Sequence, residues 1–386
     1  MTVPANPDPG TATAEALHAF VPMAVPVLGP TELAYASQAI ESGWISSQGE
    51  FVDAFEDAFA GYCGVSHGVA VTSGTTALHL ALAALGIGPG DEVILPALAH
   101  IACINAVALT GATPVVADCE LSTWGIDPDV VQAKITARTK AVMALHLFGH
   151  PVDVDPLLEL GERHGFVVLE DAAQAHGAEY KGRRAGSLGR LASFSFYANK
   201  IITTGEGGML VTDDPLLAAR ARKLRDQAYE KDRRFLHREL GFNYRMTNVQ
   251  AAIGLAQMKR LDEFVETHRR NAHLLNELLA DEDGLTLPPE QSWAKNVYWM
   301  YSLLVDPEQF GTVDELAAHL RGAQIDSRPF FIPLSDQPLY DHLRRDHPCP
   351  VAESMAERGI SLPSGNELTE RDVRRIADAV HSGRKN

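Results

Sequence analysis

The chain reads as an α/β protein, with a large domain whose mostly parallel sheet lies between helices and a smaller C-terminal α+β domain. Two observations predict this. Short apolar runs rich in β-branched residues (HGVAV, EVILP, TPVVA, KAVMAL, GFVVLED, LASFSFY, GGMLVTDD) recur over the first two-thirds and alternate with helical segments. Such alternation is the pattern of a parallel sheet covered on both faces. After the long helical stretch VQAAIGLAQMKRLDEFVETHRRNAHLLNELLA the order changes to a strand (VYWMYSLLVD), a helix (VDELAAHLRGAQI) and a closing amphipathic helix (LTERDVRRIADAVHSG). A chain of 386 residues accommodates two or three domains. We expect a tail over residues 1–19, a large domain over 20–262 and a small domain over 263–386.

In chain order, GPTELAYASQAIESGWISSQGEFVDAFEDAFAGYCG predicts two amphipathic helices around the WISSQG turn. A strand, a small-residue turn and a helix follow in HGVAVTSGTTALHLALAALG, then the PGD turn and the strand EVILP. ALAHIACINAVALTGATPVVADCE supplies a loop, a helix and a strand, and a further helix is expected from about Asp214 to Leu224. No internal repeat is present.

Bulk properties exclude several function classes. A formal net charge of -17 argues against non-specific binding to nucleic acid or an anionic membrane, either of which needs a basic surface. Cys63, Cys103, Cys119 and Cys349 are scattered without metal-ligand spacing, so they read as reduced thiols and no metal site is expected. MTVPANPDPGTATAEA lacks the basic start and apolar centre of a signal peptide, and no apolar run is long enough to span a bilayer. A cytoplasmic location is the expectation.

The chemistry concentrates between Val168 and Met209. VVLED reads as a buried strand ending in acids, and an acid at the carboxyl end of such a strand stands where α/β sheets bind ligands. LASFSFYANK is an apolar run that carries Ser195 and Asn199 and closes on Lys200 before TTGEGG. A lysine closing such a run can be desolvated, which makes its neutral amine available as a nucleophile. Asp171 and Lys200 would then be a carboxylate facing a pyridine nitrogen and the amine that forms a Schiff base. The same spacing also fits an acid capping a helix and a lysine exposed at a strand end. Upstream, Ser73-Gly74-Thr75-Thr76 marks a strand-to-helix handover, where free backbone N–H groups and the helix dipole favour an anion such as phosphate; an ordinary N-cap has the same spelling.

EDAAQAHGA, FSFYANK and TTGEGGM resemble the aspartate, lysine and glycine motifs of the DegT/DnrJ/EryC1/StrS sugar aminotransferases, which are fold-type-I pyridoxal phosphate enzymes. The resemblance runs from about Phe20 to about Ala379. It is closest to the GDP-perosamine synthase branch through ESGWISSQG, ALGIGPGDEVILP, KIITTGEGGM, GFNYRMTNVQAAIGLAQ and SRPFFIPLSDQPLY.

The resemblance implies that Lys200 is catalytic and binds pyridoxal 5'-phosphate, which passes through its pyridoxamine form. Asp171 faces the ring nitrogen, Gly74, Thr75 and Ser195 hold the phosphate, and Gln174 contacts the phenolic oxygen. His100 occupies a position where relatives carry a ring-stacking aromatic, and Arg190 replaces an acid in the GSLGR turn. Asn243 reaches the phosphate of a neighbouring subunit, which implies a homodimer with shared sites. Trp44, Ser46, Arg245, Arg328 and Phe330 are implied substrate contacts, while Arg233, Arg234 and His237 could attract a nucleotide diphosphate. His176 is expected to be a satisfied core histidine. The implied reaction moves the amino group of L-glutamate, leaving 2-oxoglutarate, to a nucleotide-linked ketosugar, most closely GDP-4-keto-6-deoxymannose. Other ketosugars (3-keto GDP, dTDP or UDP), an aminocyclitol ketone and a non-catalytic cofactor- or nucleotide-binding regulator stand as alternatives. A 3-dehydratase of the same fold would carry histidine in place of Lys200.

Overall fold

The computed structural model describes residues 20–230, 232–233, 235–343 and 348–385; the expected tail lies outside them. Its central sheet has seven strands: β1 (His67–Val71), β2 (Glu92–Pro96), β3 (Thr113–Ala117), β4 (Thr139–Leu145), β5 (Val167–Asp171), β6 (Leu191–Ser195) and β7 (Gly208–Thr212). Their order is β1-β7-β6-β5-β4-β2-β3. The pairs from β6 to β3 are parallel, and β7 runs antiparallel to both of its neighbours. The carboxyl ends of β1, β5 and β6 therefore open on one edge of the sheet, where α/β proteins hold ligands. Because β7 is reversed, its first residue Gly208 pairs with both Val71 and Ser195 and stands at that edge too. A Cβ at Gly208 would run into the Ser73 carbonyl, so glycine is needed by close approach.

One face of the sheet buries Phe55 and Phe59 from the helix Glu50–Cys63 against Phe194 and Phe196. Phe59 meets Phe194 edge-on at 4.7 Å between ring centroids, a geometry worth about 0.5–1.5 kcal/mol beyond area burial. His176 sits inside this cluster, fully buried against the three rings of Phe59, Phe194 and Phe196. It is a core histidine with the Ser195 backbone as a polar neighbour, which neither ring nitrogen meets in strict hydrogen-bond geometry. Burial, helped by nearby Lys200, pushes its pKa down to about 3, which keeps the ring neutral.

The C-terminal part forms a four-stranded sheet ordered Leu285–Thr286, Tyr301–Val305, Gly359–Leu362, Arg328–Pro329, antiparallel throughout. Leu303, Leu316, Leu320, Ile360 and Ile376 fill a separate core, which Val21 also joins by pairing with Ile325. The expected boundary at 263 falls inside the helix Leu261–Leu279, which packs on the closing helix Glu370–Ser382.

Two elements differ from expectation. The long helical stretch is two helices, Asn248–Met258 and Leu261–Leu279. Lys259 and Arg260 donate to carbonyls three residues back, and Arg260 leaves helical geometry at φ -118° and ψ 4°, so the axis turns. The strand expected over VYWMYSLLVD begins only at Tyr301, because Tyr298 takes a left-handed φ of 48° and breaks the extended run. The released residues Trp299 and Met300 form pocket wall instead. All four cysteines are buried and none is in a disulfide. Among the described residues no helix is long and apolar enough to cross a membrane, and no group of three His, Cys, Asp or Glu side chains could hold a metal ion.

Candidate active site

Side-chain alternation along β5 sends its two terminal acids to opposite faces. Glu170 points away from the pocket and accepts from the backbone N–H groups of Gly186 (2.7 Å), Leu188 (2.8 Å) and Gly189 (2.7 Å). It also meets His146 Nε2 at 3.0 Å. Because His146 Nδ1 accepts the Val152 N–H, Nε2 carries the proton that goes to Glu170. The GSLGR turn is thus folded around a buried carboxylate. Arg190 at its end pairs with Asp214, the N-cap of the helix Pro215–Arg225, and does not line the pocket.

Asp171 is buried on the pocket face. Its Oδ1 accepts the Ala173 N–H at 3.1 Å and its Oδ2 accepts the Cys103 thiol at 3.0 Å. Each oxygen keeps a free lone pair, so the carboxylate is oriented without being exhausted.

Lys200 follows β6 by one turn and lines the same pocket. Its Nζ lies 3.5 Å from the centroid of the Trp299 ring, and the indole N–H donates to the Asn199 carbonyl at 2.7 Å. Desolvation lowers the amine's pKa to about 7 even though the Asp171 charge acts the other way. Near neutral pH a large fraction of this lysine is therefore uncharged and nucleophilic, which the exposed strand-end reading cannot provide.

Ser73 caps the helix Gly74–Ala84 through a reciprocal pair with Thr76, so the capping motif is present. The capping leaves Gly74 and Thr75 in the first turn, where an amide has no intrahelical acceptor, and both line the pocket together with Ser195. A Cβ on Gly74 would stand 2.7 Å from Ser195 Cβ. Gly74→Ala is expected to weaken capture of a phosphate-bearing ligand by about ten-fold or more, through displaced charge-assisted hydrogen bonds. Titrating the apoprotein with pyridoxal phosphate checks this, and an unchanged dissociation constant would remove the phosphate role from this turn.

Gln174 Oε1 accepts the Phe148 N–H at 2.7 Å, leaving its Nε2 as the donor available to the pocket. His100 lies at the pocket mouth, edge-on to Phe331 at 5.7 Å. Its Nδ1 accepts the Ala102 N–H at 3.2 Å, while desolvation and then Lys200 lower its pKa, so the imidazole presents as a neutral ring with the proton on Nε2.

Arg328 lines the pocket, but Phe330 does not. Phe330 is buried against Phe148 and Trp124, and the next residue, Phe331, faces the cavity. Trp44 and Ser46 also stand outside this chain's pocket; their carbonyls accept from Asn248 Nδ2 and Asn248 N–H. Asn243 is exposed in a bridge with Asp226, and Arg245 is ion-paired with Asp226, so neither lines the pocket. Arg233 is exposed, His237 Nδ1 donates to the Gln227 carbonyl at 2.7 Å, and Arg234 lies outside the described residues. Reading motifs missed Trp299, Phe331 and the Cys103 contact, none of which has a local signature.

Known proteins match over nearly the whole chain. The GDP-perosamine synthase of Caulobacter vibrioides is 46% identical over 361 residues, spanning 93% of this chain and 97% of that protein. The GDP-perosamine synthase of Escherichia coli O157:H7 is 40% identical over 362 residues, spanning 94% and 98%. Among solved structures, S. venezuelae DesV in complex with ketimine intermediate superposes with a TM-score of 0.85 at 38% identity, over 91% of this chain and 93% of that one. With the family pattern matched across residues 26–381, and with an acid, a desolvated lysine and a helix N-terminus walling one pocket, the chain belongs to the DegT/DnrJ/EryC1/StrS aminotransferase family.

Proposed function

We propose that the protein is a pyridoxal phosphate-dependent aminotransferase that moves the amino group of L-glutamate to a nucleotide-linked ketosugar of the GDP-4-keto-6-deoxymannose class. The observation that carries the reaction class is the joint presence, in one pocket, of buried Asp171 and a Lys200 whose pKa is brought to about 7. The two GDP-perosamine synthase relatives support the choice of sugar.

The side chains fit the cofactor. Gly74 leaves a gap that a Cβ would fill, backed by first-turn amides suited to a phosphate dianion. We assign the phosphate to Gly74, Thr75 and Ser195, the ring nitrogen to Asp171, the phenolic oxygen to Gln174 Nε2, one ring face to His100 and the aldehyde carbon to Lys200. When bound, pyridoxal phosphate supplies an electron-poor ring that accepts the electron pair left behind by a departing Cα proton. Lys200 Nζ, uncharged in a large fraction of molecules near pH 7, would take that proton from glutamate and return one at the other carbon. Because 2-oxoglutarate leaves before the ketosugar reacts, ping-pong kinetics are the expected pattern. Arg328, at the exposed rim, is the cation we assign to the substrate's anionic groups.

The assay is a panel of GDP-, dTDP- and UDP-linked ketosugars with glutamate as donor. Amination of the GDP sugar supports the assignment; amination only of a dTDP sugar or an aminocyclitol ketone overturns the substrate and leaves the reaction class standing.

The active unit in this reading is a homodimer in which Asn243 serves the partner's phosphate site. Support comes from its exposure outside this chain's own pocket. Lys200→Ala and Asn243→Ala are each expected to impair activity when pure. Mixing them should restore activity, because one site per mixed dimer regains both residues. Failure of the mixture to recover would place Asn243 in its own subunit's chemistry or in none.

A further inference from the structure

Asp171 is held by a group that has no place in the roles above. Cys103 is the second residue of the helix Ala102–Thr110, which begins just beyond His100, and its side chain is almost wholly buried beneath the pocket floor. It does not line the pocket, yet its Sγ lies 3.0 Å from Asp171 Oδ2. The opposite oxygen receives the Ala173 N–H at 3.1 Å. Two donors, one on each oxygen, hold the carboxylate plane and leave one lone pair per oxygen for a third partner. Desolvation and the neighbouring Asp171 charge raise the thiol's pKa well above its ordinary value, so the sulfur carries its proton and acts as a donor.

Resting on the reading of Asp171 as partner of the cofactor's ring nitrogen, we propose that Cys103 is a positioning residue that keeps Asp171 anionic and thereby keeps the shared proton on the ring nitrogen. The physical reason is one of competition. A proton between a carboxylate and a pyridine nitrogen goes to whichever is the stronger acceptor, and every hydrogen bond donated to the carboxylate stabilises its anion. Removing the thiol proton makes the carboxylate a better proton acceptor and draws the proton off the ring. A neutral ring is the poorer electron sink. Sulfur is a weak donor, but here it is buried, aligned on a charge and shielded from water, where such contacts matter most.

The test compares Cys103→Ser, which keeps a donor, with Cys103→Ala and Cys103→Val, which remove it; valine also refills the volume. Each holoenzyme is reconstituted with pyridoxal phosphate isotopically labelled at the ring nitrogen, and the nitrogen NMR shift reports where the proton resides. We expect wild type and Cys103→Ser to show a protonated ring nitrogen, and Cys103→Ala and Cys103→Val to shift toward the neutral form. The glutamate half-reaction should slow by roughly ten-fold in the two donor-less variants with KM little changed, and serine should recover most of the rate. If Cys103→Val gives the wild-type nitrogen shift, or if serine fares no better than valine, Cys103 is a packing residue and the proposal falls. A wild-type ring nitrogen that is itself unprotonated overturns the Asp171 assignment instead, so the two failures are distinguishable.

Discussion

Lys200→Ala is expected to reduce glutamate-dependent transamination by about 10^4-fold or more, the upper range for loss of a positioned acid–base group, with loss of the nucleophile added. The residue combines two properties that no neighbour in the pocket can supply together. Its amine is desolvated enough to be partly neutral near pH 7, and it stands beside Asp171. Lys200→Arg should be equally inactive, because a guanidinium stays charged at every accessible pH. Single-turnover reaction with glutamate, followed by the cofactor's visible absorbance, is the measurement; a variant within about 100-fold of wild type would mean that another group moves the proton.

The same lysine sets a pH dependence. Since its pKa is lowered from 10.5 to about 7, the neutral fraction rises with pH and is nearly complete a unit or so above that value. Capture of pyridoxal phosphate by the apoprotein should therefore accelerate about ten-fold per pH unit below about 7 and level off above it. A rate still climbing steeply at pH 9 would show an ordinary, solvated lysine.

Asp171→Asn should lower the rate of the glutamate half-reaction by about 10^2–10^3-fold, the usual loss when one pre-oriented electrostatic group is removed. Asparagine is nearly isosteric and its carbonyl oxygen can still accept the Ala173 N–H that Oδ1 now receives. Packing is thus largely kept, while the negative charge that holds a proton on a ring nitrogen is lost. The expected signature is a fall in kcat with glutamate KM little changed, because the ring's electron demand matters in the transition state more than in binding. A kcat within threefold of wild type would show that Asp171 serves only to pack the floor of the cavity.

How legible these parts were in the sequence follows from how local their causes are. The parallel strands, the Ser73 cap, the acid closing β5 and the lysine closing an apolar run are each written within a few residues. Hydrophobic period, turn chemistry and capping act over one turn or one strand, and those elements stand where their spelling puts them. The pair Glu170 and Asp171 shows the limit. Both are acids at a strand end, and only the sheet's two faces decide that one is tied up by four donors while the other opens on a cavity.

Where a side chain's role depends on a partner far along the chain, local spelling carried no signal. Phe330 and Phe331 are identical in type, and pairing of Pro329 with Ile360 turns the first into the core and leaves the second for the pocket. Trp299 covers Lys200 because Tyr298 breaks a run that would otherwise continue as strand, and Cys103 reaches Asp171 across 68 positions of sequence. Short-range chemistry thus placed most strands, helices and caps and marked Asp171 and Lys200 as candidates. The pocket's walls, its buried thiol and the desolvation of its lysine came from packing between distant segments, since burial is a property of the assembled chain and not of any stretch of it.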